Sequence, residues 1–238
     1  MNLILFEAGE TGRPLPADDP RALHLRRILR RAVGELFDAG VVNGPRGKGR
    51  ILSVDREGLH FAFEPGAEPE PLLQVALLVG LPRPQTARRI LREAASFGVG
   101  EIHFAATDKG ERSYAGSSLW STGEARRHLI AGTEQRFSTL LPELVLHDRL
   151  EAALDRLLPA HAGAALDNYE ATGPLSGFRP ARFPVFLAVG AERGWSAGER
   201  DLLRARGVPL LKLGKPVLRT ETACLCGLTL LMAALQIL

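Results

Sequence analysis

Two apolar runs near the carboxy terminus, Phe183 to Val189 and Pro209 to Leu213, each run into a glycine. The residues that follow could do chemistry. After the first run comes Gly190-Ala191-Glu192-Arg193-Gly194-Trp195, and after the second Gly214-Lys215-Pro216-Val217-Leu218-Arg219-Thr220-Glu221-Thr222-Ala223. Glycines let main-chain amides and carbonyls come close to a ligand. Two such loops at the carboxyl ends of parallel strands would line the crevice where open α/β sheets bind ligands. Taken alone, Gly190, Gly194 and Gly214 could equally do no more than end strands. A nucleotide-binding oxidoreductase fares poorly, because no Gly-x-Gly-x-x-Gly follows the first strand of the α/β part.

The elements that must hold these loops can be read from local signals. Ser196-x-x-Glu199 is a capping box, so a helix starts just after Trp195. Gly207 fits the left-handed position after its last turn. A second helix begins near Thr220. Upstream, Leu73 to Val79 is a continuous apolar strand, and Pro84 to Phe97 has Ala87, Ile90, Leu91 and Ala94 on one helical face with arginines on the other. Val99 to Ala106 is the next strand, Ser121 to Phe137 a helix preceded by Trp120, Leu150 to Leu158 a helix stopped by Pro159, and Ala162 to Leu166 a weak strand. This alternation predicts a parallel sheet with helices on both faces.

Residues 1 to about 67 read differently. Leu3-Ile4-Leu5-Phe6 is a short strand, and Pro20 to Arg31 forms at least one helical turn with Leu25, Ile28 and Leu29 on one side. Gly34 to Val42 and Arg50 to Phe63 alternate loosely, as strands of a small barrel would. Asn43 to Arg50 reads as a turn-rich basic loop. Glu68-Pro69-Glu70-Pro71 is the best linker, which divides the chain at 1–70 and 71–238.

The chain has 238 residues, 45% hydrophobic and 24% charged, the balance of a soluble globular protein. Net charge is only +3, but Arg21 to Arg50 holds eight basic residues against two acidic ones, and Arg83, Arg88, Arg89 and Arg92 form a second group. Such patches suggest a polyanion, RNA or DNA first; the alternative is a solvated helix face. Cys224 and Cys226 are too few and too close for a disulfide framework, which fits a reducing compartment, and no histidine cluster accompanies them to make a metal site. They read as two small core residues on a helix. The stretch Met1-Asn2-Leu3-Ile4-Leu5-Phe6-Glu7 has no basic segment and is not expected to be a signal peptide. The apolar tail Ala223 to Leu238 would span about 24 Å as a helix, short of a ~30 Å bilayer core.

The two glycine loops resemble the paired carboxy-terminal signature of the RsmE family, 16S ribosomal RNA uridine-N3 methyltransferases of the SPOUT (α/β-knot) superfamily. That family reads Gly-Pro-Glu-Gly-Gly in the first loop and Leu-Gly-Pro-Arg-hydrophobic-Leu-Arg-Thr-Glu-Thr in the second; the second match, Leu213 to Thr222, is nearly complete. More loosely, His24-Leu25-Arg26-Arg27-Ile28-Leu29-Arg30 is similar to its amino-terminal His…Val-Leu-Arg element, and Phe97-Gly98-Val99 and Glu134-Gln135…Pro142 to two further motifs. The resemblance implies a trefoil-knotted SPOUT sheet preceded by a PUA-like β-barrel, S-adenosylmethionine as cofactor, small-subunit ribosomal RNA as partner, a homodimer and a cytoplasmic location, with neither metal nor membrane. It implies cofactor contacts from Leu166, Val189, Gly190, Ala191, Glu192, Gly194, Leu213, Gly214, Val217, Leu218 and Thr220, and a catalytic site with Arg219, Glu221 and Arg30. In it, Arg219 would ease deprotonation of uracil N3, Glu221 would hold Arg219 or the partner subunit, and Glu192 would tie the first loop to main-chain amides. RNA would be held by Arg26, Arg27, Arg30, Arg46, Lys48 and Arg50.

The chain departs from the family at Ser138, where an arginine is usual, at Arg193, at Lys215-Pro216, and at a strand-end Arg-Ser that is at best displaced to Arg112-Ser113. These positions are expected near the crevice and leave room for another RNA site or base. A rival of another class is a non-catalytic RNA-binding protein with the same fold.

Overall fold

The computed structural model describes residues 3–237. Met1 and Asn2 of the stretch read against a signal peptide, and Leu238 of the expected final helix, lie outside the described residues. The chain divides into two units: the described residues through Pro71 with Ile130–Leu141, and Leu72–Leu129 with the residues from Pro142 onward.

The smaller unit contains β1 (Leu3–Phe6), α1 (Pro20–Leu23), β2 (Leu36–Val41), β3 (Arg46–Val54) and β4 (Leu59–Pro65). Its strands form one sheet in that order, β1 parallel to β2 and the other pairs antiparallel. Phe6 and Phe61 stack at 4.7 Å in a core shared with Phe37, Leu25 and Ile51. Two expectations need correction here. Arg50 to Phe63 is not one strand but the end of β3, a turn over 55–58, and β4. Asn43 to Arg50 is a loop only as far as Pro45; Arg46 to Arg50 pair with Gly40 to Leu36. Gly47 and Gly49 serve packing rather than turning. A Cβ on Gly49 would lie 2.2 Å from the Phe37 ring, and one on Gly47 2.0 Å from the Glu64 carbonyl oxygen. The strand's alternation therefore places Arg46, Lys48 and Arg50 on one face.

After α1 the chain makes a π-helical turn, His24–Ile28, in which the Leu29 N–H reaches the His24 carbonyl at 2.9 Å. The wider turn breaks the 3.6-residue period on which the expected apolar side rested. Leu25 is buried, but Ile28 is 68% exposed.

The larger unit contains β5 (Leu73–Gly80), α2 (Pro84–Phe97), β6 (Val99–Ala105), α3 (Ser118–Ser121), the start of α4 (Glu124–Gln135), β7 (Glu143–His147), α5 (Leu150–Leu157), β8 (Ala162–Leu166), β9 (Gly173–Pro174), β10 (Val185–Val189), α6 (Ala197–Ala205), β11 (Leu210–Lys212) and α7 (Thr220–Ala234). Its seven strands run parallel in the order β7-β6-β5-β10-β8-β11-β9. Helices cover both faces. Ala76, Leu78, Phe186 and Ala188 pack with Leu154 of α5 and Leu203 of α6. On the other face α7 approaches so closely that a Cβ on Gly227 would lie 2.6 Å from Leu187 Cδ2. Double coverage explains why β5 and β10 read as continuous apolar runs. The edge strands β7 and β9 were not expected; being partly exposed or two residues long, they carry little apolar signal. The expected helix Ser121 to Phe137 is two helices, broken at Gly123, whose φ is +72°. Of the two cysteines expected in the core, only Cys224 is buried, and Cys226 on the same helix is exposed. No helix among the described residues is long and apolar enough to cross a membrane.

The capping box forms as read. Ser196 Oγ accepts the Glu199 N–H at 3.1 Å, and Glu199 Oε2 accepts the Ser196 N–H at 2.7 Å. Glu199 Oε1 also accepts the Asp108 N–H at 2.9 Å, tying the loop after β6 to α6. Gly207 has the left-handed φ of +72° after the helix. Ser196→Ala is expected to cost about 1 kcal/mol, read as a lower urea midpoint with unchanged slope.

Candidate active site

The carboxyl ends of β8, β10 and β11 open onto one crevice in the larger unit. Leu166, Val189, Gly190, Ala191, Glu192, Gly194, Leu213, Val217, Leu218 and Thr220 line it. So do Asp167, Asn168, Tyr169, Arg193, Pro216 and Ala223, which sequence reasoning did not assign to the cofactor. Gly214, Arg219, Glu221 and Arg30 are not in its lining.

Crowding shapes the first loop. A Cβ on Gly190 would lie 2.9 Å from the Gly194 Cα, backbone against backbone, so only glycine fits. Gly194 has φ +62°, and its N–H closes a turn onto the Ala191 carbonyl at 2.8 Å. Glu192 Oε1 accepts the Arg83 N–H at 3.1 Å, tying the loop to the residue before α2. By contrast, a Cβ on Gly214 would make only an ordinary 3.8 Å contact with Pro216.

The loop after β8 is built around Asp167. Its Oδ1 accepts the N–H groups of Tyr169 (2.8 Å) and Glu170 (2.6 Å), and its Oδ2 accepts Arg200 Nε at 2.7 Å. Burial alone would raise the Asp167 carboxyl, but the Arg200 guanidinium and the two N–H groups outweigh it and hold it below the usual range. Arg200 also lies over the Tyr169 ring at 5.2 Å. The fully buried Trp195 donates its indole N–H to the Leu166 carbonyl at 3.0 Å. These contacts fasten the β8 loop to α6 and to the first glycine loop. Nothing local announces them, because Asp167 and Arg200 lie 33 residues apart.

At the third wall, Val217 is 80% exposed and Thr220 is buried. Arg219 is the N-cap of α7, exposed, between two crevice-lining residues, and its side chain makes no hydrogen bond or ion pair among the described residues. Glu221 does not hold it. It pairs with Arg89 of α2, Nη1 to Oε1 at 3.2 Å. The other arginines of this group are also engaged: Arg83, just before α2, with Glu192, Arg88 with Glu124 through two contacts, and Arg92 with Glu93. The second basic group is thus a charge-balanced helix face.

In the smaller unit, Arg26, Arg27 and Arg30 are exposed, Arg30 with φ +52°. Lys48 pairs with Asp38 at 2.6 Å, and Arg50 donates to the Gly34 carbonyl at 3.1 Å. Arg21 is locked between Glu10 and Asp19. The departures expected around the crevice separate: Arg193 and Pro216 line it, whereas Lys215 and Arg112-Ser113 do not, and Ser138 belongs to the Ile130–Leu141 segment of the smaller unit.

Residues 68–232 match the model of the RNA methyltransferase domain. The chain is 33% identical over 242 residues to the ribosomal RNA small subunit methyltransferase E of Treponema pallidum, covering 98% of this chain and 91% of that one. It is 28% identical to ribosomal RNA small subunit methyltransferase E 1 of Borreliella burgdorferi, covering 95% of each. In fold it matches the crystal structure of a ribosomal RNA small subunit methyltransferase E from Neisseria gonorrhoeae bound to S-adenosylmethionine, with a TM-score of 0.77 at 20% identity over 98% and 97% of the two chains.

Proposed function

The chain belongs to the RsmE family of ribosomal RNA small subunit methyltransferases, and from that premise we propose that it uses S-adenosylmethionine to methylate N3 of a uridine in 16S ribosomal RNA. The observation that carries this reading is the crevice: a main-chain cradle at three strand ends, with the Arg219 guanidinium, unpaired among the described residues, at the start of the helix beside it.

The residues fit such a cofactor. Gly190 lines the crevice without a side chain, where a Cβ would meet the Gly194 backbone, Leu166, Val189, Leu213 and Leu218 offer apolar walls for an adenine, and Asn168 and Thr220 offer polar groups. The bound cofactor would supply an electrophilic methyl on its sulfonium. Holding acceptor and methyl in line would supply up to roughly 7–11 kcal/mol of the acceleration. Uracil N3 would pass its proton to solvent, and Arg219 lowers the cost of that loss by stabilising the negative charge that develops on the base. Glu221, engaged with Arg89, positions the first turn of α7 rather than acting as a base. Arg30 serves the target base or its phosphates.

The reading includes a finer architecture: residues 1–70 as a PUA-like barrel for RNA, 71–238 as a SPOUT domain whose tail threads a trefoil knot, and a cytoplasmic homodimer in which a second copy completes each crevice. Parallel strand order and the apolar α7 support it.

Mass spectrometry of 16S ribosomal RNA from cells lacking the gene tests the reaction: one uridine methyl should be missing and should return with the intact gene. No saturable binding of S-adenosylmethionine by calorimetry would favour a non-catalytic RNA-binding protein. Reversing charge at Arg26, Arg27 and Arg30 should weaken RNA binding and flatten its salt dependence, by roughly 0.7–0.9 in slope for each phosphate that is no longer neutralised. An unchanged slope would place the RNA elsewhere.

A further inference from the structure

The end of α4, in the smaller unit, carries a residue that its backbone does not favour. The Ser138 N–H bonds to the Thr133 carbonyl and the Phe137 N–H to the Glu134 carbonyl, both at 3.1 Å. This is the Schellman pattern, whose left-handed position normally holds glycine. Here it holds Phe137, with φ +62°. A side chain in that conformation costs about 1–2 kcal/mol. The residue is nevertheless 38% exposed. One partner is visible: Arg46 lies over it at 4.8 Å and donates to the Phe137 carbonyl at 2.9 Å. An exposed cation–π contact returns about 0.5–1 kcal/mol, roughly half of that cost, and the hydrogen bond to the carbonyl would form with glycine there as well. Backbone strain of this kind gathers where a side chain has work outside the fold.

The surroundings suggest that work. Arg46, Phe137, Arg136, Glu68 and Glu70 line one cleft of the smaller unit. Arg136 Nη1 is buried with no acceptor among the described residues, a donor lacking its partner. Glu68 and Glu70 are exposed carboxylates, which disfavour phosphate but accept from the N–H groups of a base edge. An exposed ring, a free donor and nearby acceptors together match an unpaired nucleobase better than a phosphate backbone.

We propose that Phe137, with Arg46 beneath it and Arg136 beside it, is a stacking subsite for one unpaired base of a single-stranded RNA. The subsite rests on the methyltransferase reading only in taking RNA as the ligand. It holds a flanking nucleotide and takes no part in methyl transfer.

The test is the affinity of the full chain for a fluorescent ten-nucleotide oligouridylate. Base stacking on an aromatic side chain is worth 1–3 kcal/mol, so Phe137→Leu should weaken binding about 5- to 150-fold. A duplex RNA of the same length should not distinguish the variant from the parent. Phe137→Tyr should restore binding. Phe137→Trp should add an indole emission that saturating oligouridylate quenches, and this reading stands even if the leucine variant folds poorly. Unchanged affinity of a folded Phe137→Leu, or an added emission that the oligonucleotide leaves alone, overturns the proposal. Calorimetry with S-adenosylmethionine on the same proteins separates the two readings. A parent chain that binds no cofactor but loses RNA on Phe137→Leu would sink the methyltransferase and keep the subsite.

Discussion

Arg219→Ala is expected to lower methyl transfer by roughly 10²- to 10³-fold, the loss that follows removal of one preorganised charge-stabilising donor. The expectation follows from the contrast between this arginine and the four on or just before α2. Those four each face a carboxylate, so their charge is neutralised within the fold. Arg219 stands exposed and unpaired among the described residues, flanked by Leu218 and Thr220 of the crevice lining. Its removal leaves no carboxylate without a partner, so the near-ultraviolet circular dichroism, the urea midpoint and the affinity for S-adenosylmethionine should stay close to the parent's. Single-turnover transfer of a labelled methyl to 16S ribosomal RNA reads the effect. Arg219→Lys should recover only part, because an ammonium keeps the charge but not the planar fork. An alanine variant with parental single-turnover rates would remove Arg219 from the site.

The second large effect is on stability. Arg200→Met keeps most of the side-chain volume but leaves the buried Asp167 carboxylate without its cation. Breaking a buried pair on one side costs about 3–5 kcal/mol. Because Asp167 organises the loop after β8, cofactor affinity should fall with stability. The double variant Asp167→Asn/Arg200→Met should recover much of the loss, since it buries no lone charge. The pH dependence has a definite sign. The folded chain holds the Asp167 carboxyl below its usual value, against the pull of burial. Its contribution is therefore full above the unfolded value, about pH 4, and is lost as pH falls through the lower folded value. Urea midpoints from pH 7 down to pH 3 should fall more steeply for the parent than for the double variant, which lacks the titrating group. Parallel curves would show that the pair contributes little.

How far the chain could be read depended on the range of each interaction. The first glycine loop was legible because its constraints are local: Gly190 meets Gly194 four residues on, and Ser196 meets Glu199 three residues on. β5 and β10 were legible because burial on both faces makes them apolar throughout. Where neighbours along the chain did not decide the structure, the reading failed. Arg46 to Arg50 looked like a loop, since its glycines answer to Phe37 and Glu64 on adjoining strands. Ile28 was grouped on one side with Leu25 and Leu29 because nothing in the sequence marks a π-helical turn.

By itself, then, the sequence determined the parallel α/β sheet, the capped helix after Trp195 and the glycine loops, because burial period, capping and tight turns are properties of contiguous residues. Only the tertiary structure decided which charges are left for chemistry. The pairing of Asp167 with Arg200, of Glu221 with Arg89 and of Glu192 with the Arg83 N–H joins residues 33, 132 and 109 positions apart. Whether an arginine is free or neutralised depends on which carboxylate the fold brings within about 4 Å, and that distance is set by strand order rather than by spacing along the chain.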